Sequence, residues 1–381
     1  MHPTLDPANP EAPPWQGPAP AEPEIQARSR PGRSWGKALL LFLATAFTTT
    51  TLGSLWLQLI RTDMVVDLPY GGPVLVPSAV QQVWGNPALL KLGLQFSLPA
   101  LLILLIHELG HAFACWRYRI DATPPYFLPM PLAFGTLGAF IRIRSRIRNK
   151  KELFDVGAAG PLAGFVALLP FLLYGIAHSE PAPVVPAADD GSPFLLLPTP
   201  GNNLGFLLLT RLFHGPLPAD TVLNLHPFAL AAWLGMLATA INLLPFGQLD
   251  GGHILYAAAG RWQHRLAKPL WLAMAALSVW SLSWVLWCVL TLWIGLPHPP
   301  LADEQPPLGR GRQALAVVTL LLLLFCFMPV PFDEIRVSIE SLPPELRPRP
   351  AAATEQVVQT VGGATSSTKV TGPSLTSSTS M

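Results

Sequence analysis

Charge is what this chain lacks most. Asp, Glu, Lys and Arg make up only 12% of its 381 residues, with a formal net charge of +2. Soluble globular domains carry about twice that share, and so small a net charge gives no footing for nucleic-acid binding. Cysteine is scarce as well. Cys115, Cys288 and Cys326 lie singly in apolar stretches, and an odd, scattered set offers no disulfide framework. Cys115 falls one helical turn after His111 and reads chiefly as a small packing residue, with metal ligation as the lesser alternative. Apolar residues fill the space that charge leaves. They account for 51% of the chain, the mean hydropathy is +0.42, and the long uncharged runs point to a polytopic membrane protein.

A helix crossing the bilayer core needs about 20 apolar residues. Ala38–Ile60 runs 23 residues without a charge between Lys37 and Arg61. Further runs at about 92–116, 156–177, 227–249, 269–297 and 314–331 bring the expected number of spans to about six. Residues 1–36, with nine prolines, read as a disordered cytoplasmic tail with no cleaved leader. Residues 37–335 form the membrane domain, and the Ser/Thr/Pro-rich segment 336–381 reads as a second disordered tail. Lys and Arg in the flanks set the orientation. They place the N-terminus and the basic loop Arg117–Lys151 inside, and the acidic loop 178–226 outside. Arg310 and Arg312 fall outside on this count, against the charge rule.

Against that apolar background stands "LLILLIHELGH", residues 101–111. Residues four apart share a helix face, so His107 and His111 can present two imidazoles to one ion, with Glu108 in reach of a metal-bound water. An acid inside a span is costly and points to function; the plainer alternative is a satisfied pair of core histidines beside a snorkelling Glu. Two histidines need a third protein ligand. The segment "INLLPFGQLDGG", residues 241–252, supplies Asp250 where Pro245, Gly247, Gly251 and Gly252 should break the fourth span. Helix capping is the competing role for Asp250. Both motifs lie at inner span ends, each roughly 15 Å or less from its basic flank at 1.5 Å per residue. Asn242 is either a donor to a developing oxyanion or an interhelical hydrogen bonder.

"HELGH" in one span with "NLLPFGQLDGG" in another resembles the signature pair of the site-2 protease family of intramembrane zinc metalloproteases. "GAAGPLAG", residues 157–164, is similar to that family's small-residue motif. The resemblance runs from about Leu101 to Arg265. It implies one catalytic Zn²⁺ held by His107, His111 and Asp250, Glu108 as the base, and a catalytic role for Asn242. The loop 178–226 is too short for an inserted PDZ-like domain, so the chain resembles the compact branch of the family.

The expected fold is all-α and polytopic, with a small membrane-associated β element between the second and third spans. "GAFIRIRSRIR", residues 138–148, alternates Ile and Arg. It reads either as a strand at the inner interface, apolar edge to lipid and able to pair with an unwound substrate, or as a basic surface loop. Gly157, Gly160, Ala163 and Gly164 share a narrow sector that permits close helix approach. Residues 202–213 read as an amphipathic stretch too short to span, and His253 as a neighbour of the metal or a surface histidine. The expected function is zinc-dependent endoproteolysis within transmembrane segments of other proteins, in the cytoplasmic membrane of a bacterium. The expected partners are those proteins and the lipid bilayer. Two other readings stand beside it: a prenyl-protein-type zincin, which takes a downstream Glu as third ligand, and a catalytically idle membrane scaffold or ion-handling protein.

Overall fold

The computed structural model describes residues 31–61, 73–183, 194–218, 221–301, 303–304 and 307–338. Most of both expected tails therefore lies outside the described residues. In chain order the elements are α1 (Pro31–Ile60), α2 (Pro77–Trp84), α3 (Pro87–Arg117), β1 (Tyr126–Pro129), β2 (Thr136–Phe140), α4 (Lys150–Ala177), β3 (Glu180–Pro183), β4 (Phe194–Pro200), α5 (Leu204–His214), β5 (Thr221–Asn224), α6 (Pro227–Asn242), α7 (Asp250–Ala259), α8 (Trp262–Leu277), α9 (Ser283–Ile294), α10 (Arg310–Cys326) and β6 (Phe332–Ser338). The helix α1 begins inside the segment read as the first tail, and β6 runs three residues past the boundary set at 335.

Among the described residues three helices are long and apolar enough to cross a membrane: Trp35–Ile60, Pro87–Arg117 and Lys150–Ala177. The packing of α1, α3, α4 and α6 builds the core, with α3 and α6 parallel and α4 antiparallel to both. Lipid is as apolar as a leucine side chain, so close backbone approach holds such helices together better than apolar burial does. Glycines provide that approach at each interface. A Cβ on Gly93 of α3 would meet Thr50 of α1, one on Gly110 would meet Ala159 of α4, and one on Gly175 would meet Ala229 of α6. Phe96, Ile103, Leu168, Trp233 and Met236 fill the space between these helices and are buried.

The stretch expected to be a fifth span, 269–297, is not one helix. It divides into α8 and α9 around 278–282 and folds back on itself. Trp271 Nε1 donates to Cys288 O and Thr291 Oγ1, and His264 Nε2 bonds His298 O at 2.9 Å. The chain thus returns to the side from which it left, and α10 starts there too. Arg312 donates from Nε and Nη2 to the Asp155 carboxylate at 2.8 and 2.7 Å, and Asp155 also accepts from the Tyr118 hydroxyl. Tyr118 ends α3 and Asp155 lies in the first turns of α4, so Arg312 stands beside the basic loop and not across from it. The expectation that Arg310 and Arg312 lie outside fails because a hairpin replaces a crossing. At the far end, β6 pairs antiparallel with β4 over seven residue pairs, which returns the chain to the 178–226 loop. In that loop α5 is a short helix burying Gly205 and Phe206 and exposing Leu204, Leu207, Leu208 and Leu212.

A β element does stand between α3 and α4, but not where the Ile/Arg alternation put it. The strands are β1 and β2, and the hairpin they form runs along α1. At its tip Thr48 Oγ1 donates to Gly135 O at 2.6 Å and Trp56 Nε1 to Ala133 O at 2.8 Å. Phe134 is buried there against Trp56, Phe96 and Trp233. Gly138 takes φ +103° within β2, where the register with β1 shifts. Between Phe140 and Arg148 the chain pairs at the isolated bridge of Ile143 with Ala122. Ile141, Ile143 and Ile147 pack on Ala114, Cys115, Ile120 and Val156, so the apolar edge faces protein and not lipid. Arg142, Arg144, Arg146 and Arg148 are exposed.

Candidate metal centre

The helix α3 presents His107 and His111 on the face turned to α4, both buried. Their Nε2 atoms are 3.1 Å apart with the rings edge to face. His111 Nδ1 lies 2.7 Å from Val156 O. A carbonyl can only accept, so Nδ1 carries the proton and Nε2 keeps its lone pair. Asp250 arrives from the first turn of α7, and its Oδ2 is 3.3 Å from both Nε2 atoms. That oxygen is buried and has no hydrogen-bond partner.

Two imidazole nitrogens and a carboxylate oxygen thus form a triangle of 3.1, 3.3 and 3.3 Å. A buried, orphaned oxygen facing lone pairs is unfavourable unless a cation sits against all three. The dimensions suit one. Ligands about 2.0–2.1 Å from a tetrahedral zinc stand about 3.3 Å from one another, and three protein donors leave a fourth position open. The residues present therefore fit Zn²⁺. Among the described residues this is the one group of three or more potential ligands close enough to share an ion. It includes no glutamate, as the prenyl-type reading would require, and no cysteine; Cys115 packs in the apolar cluster beside Ile120 and Val156.

Glycines in α4 explain how three ligands reach one point. A Cβ on Gly164 would press on His107, one on Gly160 would strike the His111 ring, and one on Gly157 would crowd His253 and Asp250 O. The small-residue sector thus abuts every ligand-bearing residue, which its helix-packing reading did not foresee. The glycines after Asp250 do the same for its own turn. Cβ atoms on Gly251 and Gly252 would collide with the carbonyls of Leu243 and Phe246. The break at 243–249 and the start of α7 are therefore folded tightly together. Asp250 opens α7 without a side-chain capping bond at the preceding N-cap, Leu249.

Glu108 is buried next to His107 on the same helix. Asn242, the last residue of α6, brings Nδ2 to 3.3 Å from His107 Nε2. His253 is half-buried and bonds His298 through Nδ1 at 2.8 Å. Sequence reasoning missed the Val156 carbonyl and His298, since neither carries a motif.

Known proteins resemble the chain across the segment that carries these residues. The family model described as peptidase family M50 matches residues 95–282. The chain is 31% identical over 323 residues to a protein named "Probable zinc metalloprotease EGY1, chloroplastic" from Oryza sativa subsp. japonica, covering 78% of this chain and 51% of that one. It is 32% identical over 257 residues to "Probable zinc metalloprotease EGY2, chloroplastic" from Arabidopsis thaliana, covering 67% and 45%. The chain spans about half the length of the curated relatives it matches. These relatives are plant chloroplast proteins and lend no support to a bacterial source. Residues 95–282 contain every donor of the buried triangle, and over them the chain belongs to peptidase family M50.

Proposed function

We propose that this chain is a zinc-dependent intramembrane endopeptidase that hydrolyses peptide bonds within or near the transmembrane segments of other membrane proteins. The observation that carries this reading is the triangle of His107 Nε2, His111 Nε2 and Asp250 Oδ2 with Glu108 buried at its side. His107, His111 and Asp250 would hold the zinc, which when bound would supply Lewis-acid polarisation of the scissile carbonyl and acidification of water. Glu108 accepts the water's proton and hands it to the leaving amine. Asn242 holds its amide next to His107 and donates to the oxygen that gains negative charge. The Val156 carbonyl fixes the His111 tautomer, the role that an outer carbonyl plays at metal-bound histidines.

A helical substrate hides its peptide bonds and must be bound extended. The edge of β2 not paired to β1 offers a strand partner, and the chain leaves β2 directly into Ile141, beside Glu108. Edge addition there brings an unwound segment to the base. Orientation with the N-terminus and site toward the cytoplasm is supported by the basic residues. Arg117, the 142–151 loop and Arg312 cluster on one side, and Lys150 reaches Gly260, next to Arg261.

The test is Glu108→Gln in the full chain, co-expressed with single-span substrates. Cleavage falls by about a thousandfold or more, as for loss of a general base in concert with a metal, while bound zinc is unchanged. Cleavage at the wild-type rate overturns the mechanism.

A further inference from the structure

Asp250 is the one donor of the triangle that no continuous helix holds. It follows the non-helical turn 243–249, whose freed backbone groups need partners. Some are internal: Phe246 N donates to Leu244 O and Leu249 N to Phe246 O. One ends on a segment some fifty residues away. Gly247 N donates to Leu296 O at 2.8 Å. Gln263, in the first turn of α8 and fully buried, joins the two strands of chain. Its Nε2 donates to Pro245 O at 3.1 Å and to Leu296 O at 2.9 Å, and its Oε1 accepts from His298 N at 3.0 Å. Both amide protons and the amide oxygen are therefore in use.

The same segment grips Asp250 from downstream. His298 Nδ1 lies 2.6 Å from Pro299 O and so donates. That leaves His298 Nε2 to accept the Nδ1 proton of His253, three residues beyond Asp250. Tyr256 stacks on the His298 ring at 4.5 Å. Residues 296–298 thus form a strap across the back of the Asp250 turn, and Gln263 pins it.

We propose that Gln263 is a positioning residue that, through the 296–298 strap, sets the Asp250 carboxylate at the metal centre. This rests on the zinc reading above. Gln263 does not touch the ion. Its loss leaves Pro245 O and His298 N without their Gln263 partner and Leu296 O with the Gly247 N–H alone, and lets the turn move away from His107 and His111.

The experiment compares full-length wild type, Gln263→Leu, Gln263→Glu and Thr50→Val. The last breaks a buried hydrogen bond of 2.7 Å to Ser97, between α1 and α3. Zinc affinity is read by chelator competition, site geometry by the visible absorption of the Co²⁺-substituted protein, and fold by thermal midpoint. Gln263→Leu weakens zinc about ten- to a hundredfold, the range for loss of an outer support at a metal site, and alters the Co²⁺ band. Gln263→Glu, which keeps the acceptor for His298 N, falls between Leu and wild type. Thr50→Val lowers the midpoint but leaves affinity and band unchanged. If Gln263→Leu fails to fold, Gln263→Glu carries the comparison alone. Gln263 variants with wild-type affinity and band overturn the assignment and leave the zinc reading standing. A wild-type chain that takes up no metal overturns both.

Discussion

The two segments that bring ligands together differ in how they are held. His107 and His111 ride on one uninterrupted helix of 31 residues; their spacing is fixed by helical geometry, and only the ring orientations need adjusting, by Gly160, Gly164 and the Val156 carbonyl. Asp250 comes off a broken segment whose placement depends on backbone packed against backbone at Gly251 and Gly252 and on bonds to a distant loop. A helix delivers a pair of ligands with local information alone. The turn delivers the third only when the rest of the molecule has closed around it.

That contrast can be broken from either side. Gly251→Ala should have the larger effect, because its Cβ meets the Leu243 and Leu244 carbonyls, which cannot rotate away. The start of α7 must shift and carry Asp250 with it, at a cost of about 2–3 kcal/mol, the upper part of the range for overpacking. Chelator competition should show zinc weakened by about a hundredfold or less. Gly160→Ala meets only the His111 ring, which can tilt, so about 1–2 kcal/mol and a loss nearer tenfold are expected. Gly311→Ala adds its Cβ in open space and should leave zinc affinity unchanged. Equal losses at Gly251 and Gly160 would mean that the helix and the turn are equally forgiving.

The same contrast explains what was legible in the sequence. The residues of the centre stood out because polar, metal-binding side chains are conspicuous in apolar helices, and because matching distances to basic flanks put two motifs at one depth. The support behind Asp250 was not legible. Gln263 is an ordinary glutamine in a polar flank, and nothing local ties it to Pro245 or Leu296. The α8–α9 hairpin was missed for a similar reason: its turn, "SVWSL" at 278–282, has neither glycine, proline nor charge, so apolar length alone read as a crossing. The parity error at Arg312 followed from that. At 138–148 the alternation did separate Ile from Arg, but the expected lipid-facing strand stops at Phe140, and Ile141, Ile143 and Ile147 pack on protein.

The central claim is that donors from a helix and from a tethered turn make one zinc site, and zinc content tests it most directly. Full-length wild type and Asp250→Ala would be purified in parallel, and zinc per chain measured after dialysis against a mild chelator. One zinc per chain in wild type and its loss in Asp250→Ala is the expected result. Asp250→Ala that keeps one zinc per chain at wild-type affinity would contradict the account, since the metal would then rest on α3 without the turn.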